Sequence, residues 1–292
     1  MSHNSDSVSR VSSVLRGDHI AARGITFVSE SVLRTWSGDR STDTPVLALV
    51  ASELDLDFAF VKADEPDAKL VAETLREGHL APMWVVNGPF GMVAAERGWT
   101  TSLMDVVRAR DDIGAALDAQ VLEALGQVDQ AALVGSSALV VAEDLSAASG
   151  FLMGPDDVLE LIVPRLGRLA KEAELRGMSA ALHSDGDIRT FLPALVEAGF
   201  SAVHIGGIGW KAFESQYEAA RREGLAVIGG LEGAELHEGH DAAVAVGGKC
   251  AALASANGLL IADDGGMTTP EEVAAFTLAI KASSKVDSRR EN

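Results

Sequence analysis

Short apolar runs alternate with longer amphipathic segments through most of the chain. The runs are rich in Val, Ile, Leu and Ala and show no regular polar face, which is typical of strands buried on both sides of a sheet. We predict eight strands from these runs: Ile25–Val28, Phe58–Val61, Met83–Val86, Ala138–Ala142, Ser179–His183, Ala202–Ile205, Ala226–Ile228 and Leu259–Ala262.

The segments between the runs have the period of amphipathic helices. From Pro155 to Arg176 the apolar residues form one wide stripe, and Gly177 occupies the position of a helix C-cap. Residues 269–272 (Thr-Pro-Glu-Glu) predict a helix start, because a capping hydroxyl, a first-turn proline and two acids favour one. The small-residue segment Ala242–Ala256 predicts a helix that buries Cys250 in the core.

Strands that alternate with helices predict a parallel sheet with right-handed crossovers. Eight such units in about 260 residues match the size of a TIM (β/α)8 barrel, and a doubly wound open sheet is the alternative. No linker rich in Pro, Gly and Ser divides the chain, so we expect one barrel domain over residues 19–282. Residues 1–18 predict a polar N-terminal arm or helix, and residues 283–292 predict a disordered tail.

Charge and cysteine content narrow the function classes. The formal net charge is −19, from 24 basic and 43 acidic residues, and such a surface repels nucleic-acid phosphates. A single cysteine excludes an intrachain disulfide and any multi-cysteine metal site. No apolar run reaches membrane length, and the first ten residues lack the apolar core of a signal peptide. We therefore expect a cytoplasmic protein with a small-molecule substrate and no membrane or nucleic-acid partner.

The turn after the fifth predicted strand concentrates reactive side chains. His183, Ser184, Asp185 and Asp187 lie within five residues of one another. In a parallel α/β fold the C-terminal ends of the strands form the active-site edge, so His183 and Asp185 are candidate catalytic residues. For Asp185 the alternative is capping of the following helix, and Asp187 is better explained as an acid that complements the helix dipole.

Pairs of acids follow two other predicted strands. Glu143 and Asp144 end the fourth strand, and Asp263 and Asp264 end the eighth. Adjacent acids are costly to bury without a partner, so one of each pair is expected to face a cation or a substrate proton. The alternative is that one acid caps a turn while the other faces water.

Several further residues are weaker candidates. Asn87 and Trp210 end strands and are predicted to contact substrate, although a turn role for Asn87 and rim packing for Trp210 explain them equally well. Lys62 and Asp64 follow an early strand. The His237–His240 pair lacks zinc-protease spacing, and a solvated loop is its commoner explanation.

Three segments resemble the uroporphyrinogen decarboxylase superfamily. They are LHSDGDI at 182–188 followed by FLPALVEAGF at 191–200, NGPF at 87–90, and EDL at 143–145 followed by GFLMGP at 150–155. The likeness runs in order from about Pro45 to Lys281. It implies a TIM barrel that either decarboxylates uroporphyrinogen or transfers a methyl group to or from a corrinoid protein.

The methyltransferases of that superfamily hold zinc with a His-x-Cys pair and a later cysteine. His183 matches the histidine, Asp185 stands where the first cysteine would be, and Asp263 lies near the position of the second. The resemblance therefore implies zinc held by His183, Asp185, Glu143 and Asp263, with Asp144 as a further catalytic acid and a corrinoid protein as partner. The arginine-rich segment of the decarboxylases has no counterpart in residues 1–60, which weakens the decarboxylase alternative. A non-catalytic ligand-binding barrel is the third hypothesis.

Overall fold

The computed structural model describes residues 7–17, 21–38, 44–147, 149–254 and 258–284. Within them, eight parallel strands close into a barrel in which β1 pairs with both β2 and β8. The predicted TIM barrel is confirmed. The strands are β1 (Ala22–Ile25), β2 (Phe58–Lys62), β3 (Ala81–Asn87), β4 (Ala138–Ala142), β5 (Ser179–Asp185), β6 (Ala202–Gly206), β7 (Ala226–Leu231) and β8 (Leu259–Asp263).

Helices surround the barrel, and one helix precedes it. A two-stranded antiparallel hairpin, Ser146–Ala147 with Gly150–Phe151, follows β4 and contacts β5. The α-helices are Ser7–Leu15, Glu30–Ser37, Val46–Glu53, Ala68–Glu77, Pro89–Arg97, Trp99–Arg108, Arg110–Leu133, Pro155–Asp157, Val163–Leu175, Leu192–Glu197, Trp210–Arg222, Gly233–His237, His240–Ala254 and Pro270–Ser283, with a 3-10 turn at Arg189–Phe191.

The first strand differs from its prediction. It covers Ala22–Ile25 and not Ile25–Val28. Beyond Ile25 the chain leaves the strand ladder, because the backbone N–H of Thr26 donates to the Asp263 carboxylate (2.7 Å). Val28 then pairs with Met267 through an isolated bridge.

The helix predicted over Pro155–Arg176 contains a break. A π-helical turn, Val158–Ile162, separates Pro155–Asp157 from Val163–Leu175. Pro164 has no N–H to donate, and its ring would clash with the carbonyl one turn earlier in a continuous α-helix. Gly177 follows the helix with φ of 76°, as the C-cap prediction requires. Of the predicted helix Ala242–Ala256, residues 255 and 256 lie outside the described residues.

Two apolar cores lie on the two faces of the strands. The inner core fills the barrel with alternate residues such as Phe58, Phe60 and Met83. The outer core packs the other strand face against the helices. Val11, Val14 and Leu15 of the first helix close the N-terminal mouth of the inner core, so any ligand must enter from the C-terminal end.

The chain ends are described in part. The N-terminal segment predicted as an arm or helix forms the helix Ser7–Leu15, while residues 1–6 and 285–292 lie outside the described residues. The helix ion-pairs with the barrel through Arg10 and Asp57 (2.9 Å). Among the described helices, none is both long and apolar enough to cross a membrane.

The helix Pro270–Ser283 begins with a complete capping box. Thr269 Oγ1 accepts a hydrogen bond from the Glu272 N–H (3.3 Å), and Glu272 Oε2 accepts one from the Thr269 N–H (3.0 Å). Replacing Thr269→Ala removes the first acceptor and should lower the free energy of unfolding by about 1 kcal/mol. Urea denaturation measures the change, with the exposed Thr100→Ala as control. Equal stability of the two variants would contradict the capping role.

Candidate functional site

Strand alternation decides which polar residues enter the barrel. On β4 the inner core contains Ala138 and Val140, with Ala142 packed against it, so the next inward position beyond the strand is Asp144. The same period continues from Ala181 to His183 and Asp185 on β5. Glu143 falls on the opposite face, and the two adjacent acids therefore have different surroundings.

Asp144, His183 and Asp185 converge at the C-terminal end of the barrel. One ligand atom from each of them lies within 4.8 Å of the others, and all three side chains are partly buried. The backbone N–H of Asp185 donates to Asp144 Oδ1 (3.0 Å), which links β4 to β5 beside the cluster. The cluster borders a cleft of about 300 Å³ lined by Trp99, Asp144, Ser146, Ala147, Leu152, Asp185 and Gly207.

His183 lies in an aromatic setting with a second buried histidine. Its ring centroid is 4.8 Å from that of His204 and 4.7 Å from that of Phe27. His204 Nε2 bonds to the Asp263 carbonyl oxygen (2.9 Å), which can only accept, so this nitrogen carries the proton. Nδ1 of His183 is buried and has no hydrogen-bond partner among the described residues. Burial lowers the pKa of His183 to about 4, so its imidazole is neutral near pH 7, as a metal ligand must be.

Asp185 combines a raised pKa with a carboxylate that has no protein partner among the described residues. Burial, followed by the charges of Asp144 and Asp264, raises its pKa to about 6. No hydrogen bond from a described residue reaches its carboxylate, and the helix-cap alternative is therefore absent here. The cap-type bond comes from Asp187, whose Oδ1 accepts the Arg189 N–H (3.0 Å). A cation between the carboxylates would relieve this repulsion.

Glu143 has a different environment from the one the sequence suggested. It is 1 % exposed, and its carboxylate accepts the N–H groups of Phe90 (2.7 Å) and Gly91 (2.9 Å) in the first turn of the helix Pro89–Arg97. Burial outweighs these bonds and raises its pKa to about 8. A Cβ at Gly88 would lie 2.5 Å from Glu143, so the close approach of this turn requires glycine.

Asp263 is likewise engaged away from the cluster. Its carboxylate accepts the backbone N–H of Thr26 (2.7 Å) and the Thr26 hydroxyl (2.5 Å), and burial raises its pKa to about 6. The structure therefore does not bring the expected ligand set of His183, Asp185, Glu143 and Asp263 together. It groups His183 and Asp185 with Asp144 instead, because Glu143 and Asp263 bind backbone on the other strand face.

Two further acids hold neighbouring turns. Asp264 Oδ2 accepts the Gly233 N–H (2.9 Å). Glu232 is fully buried, and its Oε2 accepts the N–H groups of Ile208 (3.1 Å) and Gly209 (2.8 Å), while Oε1 has no partner among the described residues. Burial, assisted by the charge of Asp264, raises the pKa of Glu232 to about 8.

The remaining candidates lie away from the cluster. Asn87 is exposed at the rim and donates to Asp64 Oδ2 (3.3 Å). Trp210 starts a helix and packs on Phe213, and the Lys249 ammonium lies 5.2 Å from its ring centre. Trp210 is not among the described residues that line the cleft. His237 pairs with Glu272 (2.6 Å), and Cys250 is a buried core residue as expected. Lys62 is partly buried at the end of β2.

Sequence reasoning missed Trp99, His204 and Glu232. His204 had a usable signal, because it lies two residues after Ala202 on a predicted strand and alternation turns both inward. Glu232 follows β7 in a glycine-rich turn, and nothing local in the sequence indicates its distant backbone partners. Trp99 enters the cleft from a helix that the sequence did not connect with the site.

Comparison with known proteins identifies solved structures with a similar barrel fold. No protein-family model matches the chain, and no curated protein does. A methyltransferase from Methanosarcina mazei superposes with a TM-score of 0.75 at 15% identity, over 97% of this chain and 99% of that one. A D-psicose 3-epimerase from Clostridium cellulolyticum H10 gives 0.55 at 10% identity, over 92% of this chain and 98% of that one. A xylose isomerase domain protein from Planctomyces limnophilus gives 0.51 at 14% identity, with the same coverage. At these identities the likeness shows the barrel fold alone.

The protonation of Glu232 should appear in the pH dependence of stability. The pKa of Glu232 is raised from 4.5 to about 8 in the folded protein, so folding favours its protonated form. The free energy of unfolding is therefore highest below pH 4.5, where Glu232 is protonated in both states, and it falls as the pH rises toward 8. Glu232→Gln cannot lose a proton. Its stability relative to wild type should therefore increase between about pH 5 and about pH 8, by on the order of a few kcal/mol.

Urea denaturation at the two pH values measures this difference. Any constant cost of burying the amide cancels between them, and the exposed Glu238→Gln serves as control. A pH-independent difference between Glu232→Gln and wild type would show that Glu232 is ionised in the folded state.

Proposed function

We propose that this chain is a metal-assisted methyltransferase that moves a methyl group between a small molecule and a corrinoid protein. The observation that carries the proposal is the convergence of Asp144, His183 and Asp185 at the cleft. In this barrel the N-terminal mouth is closed by a helix, so the cleft is the accessible end of the inner core.

The three side chains suit a divalent cation. One neutral imidazole and two carboxylates are common zinc ligands, and three protein ligands leave coordination positions for a substrate. The mutual repulsion of the two aspartates would be relieved by a cation between them. The set is harder than the thiolate set of the methyltransferases that it resembles.

The residues at the proposed site would have different roles. Asp144, His183 and Asp185 would hold zinc, which when bound supplies Lewis-acid activation of the heteroatom that gives or takes the methyl group. Trp99 and Leu152 supply apolar cleft walls that suit a methyl group and displace water from it. His204 packs against His183 and supports the orientation of its ring.

Methyl transfer as the reaction has two supports of different kinds. His183 and Asp185 of the cluster belong to the HSDGD turn. The resemblance to the methyltransferases of the uroporphyrinogen decarboxylase superfamily therefore includes residues of the candidate site. The fold is also similar to that of the methyltransferase from Methanosarcina mazei. Because one fold hosts many reactions, the cluster carries more weight than the fold.

Loss of a ligand should weaken zinc binding. Asp185→Asn keeps the size of the side chain but removes a charge, so zinc affinity should fall by at least about tenfold. Asp187→Asn is the matched control, since Asp187 lies two residues away, is half exposed and pairs with Arg189. Isothermal titration calorimetry with Zn²⁺ measures both variants against wild type.

Three results are informative. A selective loss in Asp185→Asn supports the site. Equal losses in both variants would indicate nonspecific binding by an acidic surface. No zinc binding by the wild-type protein would remove the metal from the proposal and favour a non-catalytic ligand-binding barrel.

The decarboxylase alternative has its own test. A tetrapyrrole rich in carboxylates needs cationic side chains, and the described residues that line the cleft include no Lys or Arg. Purified protein incubated with uroporphyrinogen should therefore form no coproporphyrinogen, as measured by chromatography of the oxidised porphyrins. Clear product formation would replace methyl transfer with decarboxylation as the proposed activity.

A further inference from the structure

Gln216 links the helix Trp210–Arg222 to the turn that carries Asp185. The side chain is 2 % exposed. Its Oε1 accepts the backbone N–H of Ile188 (2.9 Å), and its Nε2 donates to the carbonyl oxygen of Gly186 (2.9 Å). One amide thus satisfies a donor and an acceptor of the same turn, which neither a carboxylate nor an apolar side chain can do.

The turn has a tightly restricted path. Gly186 has φ of +75°, and a Cβ there would lie 2.6 Å from the Ala147 carbonyl oxygen. The Gly186 N–H donates to the Gly206 carbonyl oxygen at 3.3 Å, where β5 and β6 end. Beyond this point the strand ladder gives the turn no further support, and the two bonds from Gln216 take its place.

The position of the Asp185 side chain depends on the backbone path of this turn more than the positions of the neighbouring side chains do. The backbone N–H of Asp185 is held by Asp144 Oδ1 (3.0 Å). Its carboxylate accepts no hydrogen bond from a described residue, so the position of the side chain follows from the backbone on either side. Asp144 binds the backbone N–H of Asp185, and Gln216 binds the backbone of the residues that follow it, Gly186 and Ile188.

We infer that Gln216 is a positioning residue that keeps the Asp185 carboxylate beside Asp144 and His183. The inference rests on the proposed function, because it gives Gln216 a role in cation binding. The competing explanation is purely structural. In that case Gln216 satisfies two buried backbone groups, and its loss lowers stability without altering the cluster.

Zinc affinity separates the two explanations. Gln216→Met has a similar length and no hydrogen-bonding amide, and the loss of a supporting partner of a metal ligand weakens binding by about 10–100-fold. We expect a fall of that size in calorimetric titration with Zn²⁺. We also expect an altered visible spectrum of the Co²⁺-loaded protein, because a displaced carboxylate changes the ligand geometry.

Ser136→Ala is the control for a general loss of stability. Ser136 is buried at the opposite end of the barrel, where its hydroxyl accepts the Trp84 N–H (3.0 Å) and can donate to the Pro82 carbonyl oxygen (2.9 Å). This variant should lower the melting temperature and leave Zn²⁺ affinity unchanged. If Gln216→Met does not fold, Gln216→Glu replaces it, since its carboxylate keeps the acceptor for Ile188, loses the donor to Gly186 and adds one negative charge at the turn.

Each outcome decides the inference. Weaker zinc binding in the Gln216 variant, with Ser136→Ala unchanged, supports it. Equal affinity in the Gln216 variant and wild type overturns it and leaves the proposed function intact. If wild type binds no zinc, the proposed function fails, and crystal structures of wild type and the variant decide: a displaced Asp185 carboxylate supports the positioning role, and an unmoved one overturns it.

Discussion

Buried carboxylates that accept backbone N–H groups from neighbouring turns organise the C-terminal end of this barrel. Turns and helix starts leave N–H groups without partners, and burying them unpaired is costly. Here acids at the ends of the strands supply the acceptors across the boundary between adjacent units. The pairs are Glu143 with Phe90 and Gly91, Asp144 with Asp185, Glu232 with Ile208 and Gly209, Asp263 with Thr26, and Asp264 with Gly233.

This arrangement separates structural acids from the candidate site. Glu143 and Asp263 have raised pKa values because they are buried, but their carboxylates are already bound to backbone. Asp185 also has a raised pKa, yet no hydrogen bond of the described residues reaches its carboxylate. A shifted pKa therefore does not identify the site in this protein. Asp185 differs from these two acids because its carboxylate borders the cleft and accepts no hydrogen bond from the described residues.

The proposed site would differ in chemistry from the thiolate zinc centres of the methyltransferases that the sequence resembles. Replacing sulfur by carboxylate oxygen at the second position of the His-x-Cys spacing gives a harder ligand set. The cleft beside it has apolar walls and no lining cation among the described residues, which suits a small substrate without several negative charges. This lining is poorly suited to a polycarboxylate, because it offers no cationic side chain to pair with carboxylates.

The sequence by itself predicted the barrel, most of its strands, the helix starts at Pro155 and Pro270, and the turn that carries His183 and Asp185, because hydrophobic periodicity and capping are local properties. It also contained the alternation that turns Asp144 inward and Glu143 outward, since two adjacent strand residues face opposite sides. Only the tertiary structure decided which acids remained free of protein partners. The backbone groups that occupy Glu143 lie more than fifty residues away, and no local pattern encodes such a pairing. The approach of Gln216 and Trp99 to the site was likewise settled by packing between distant elements.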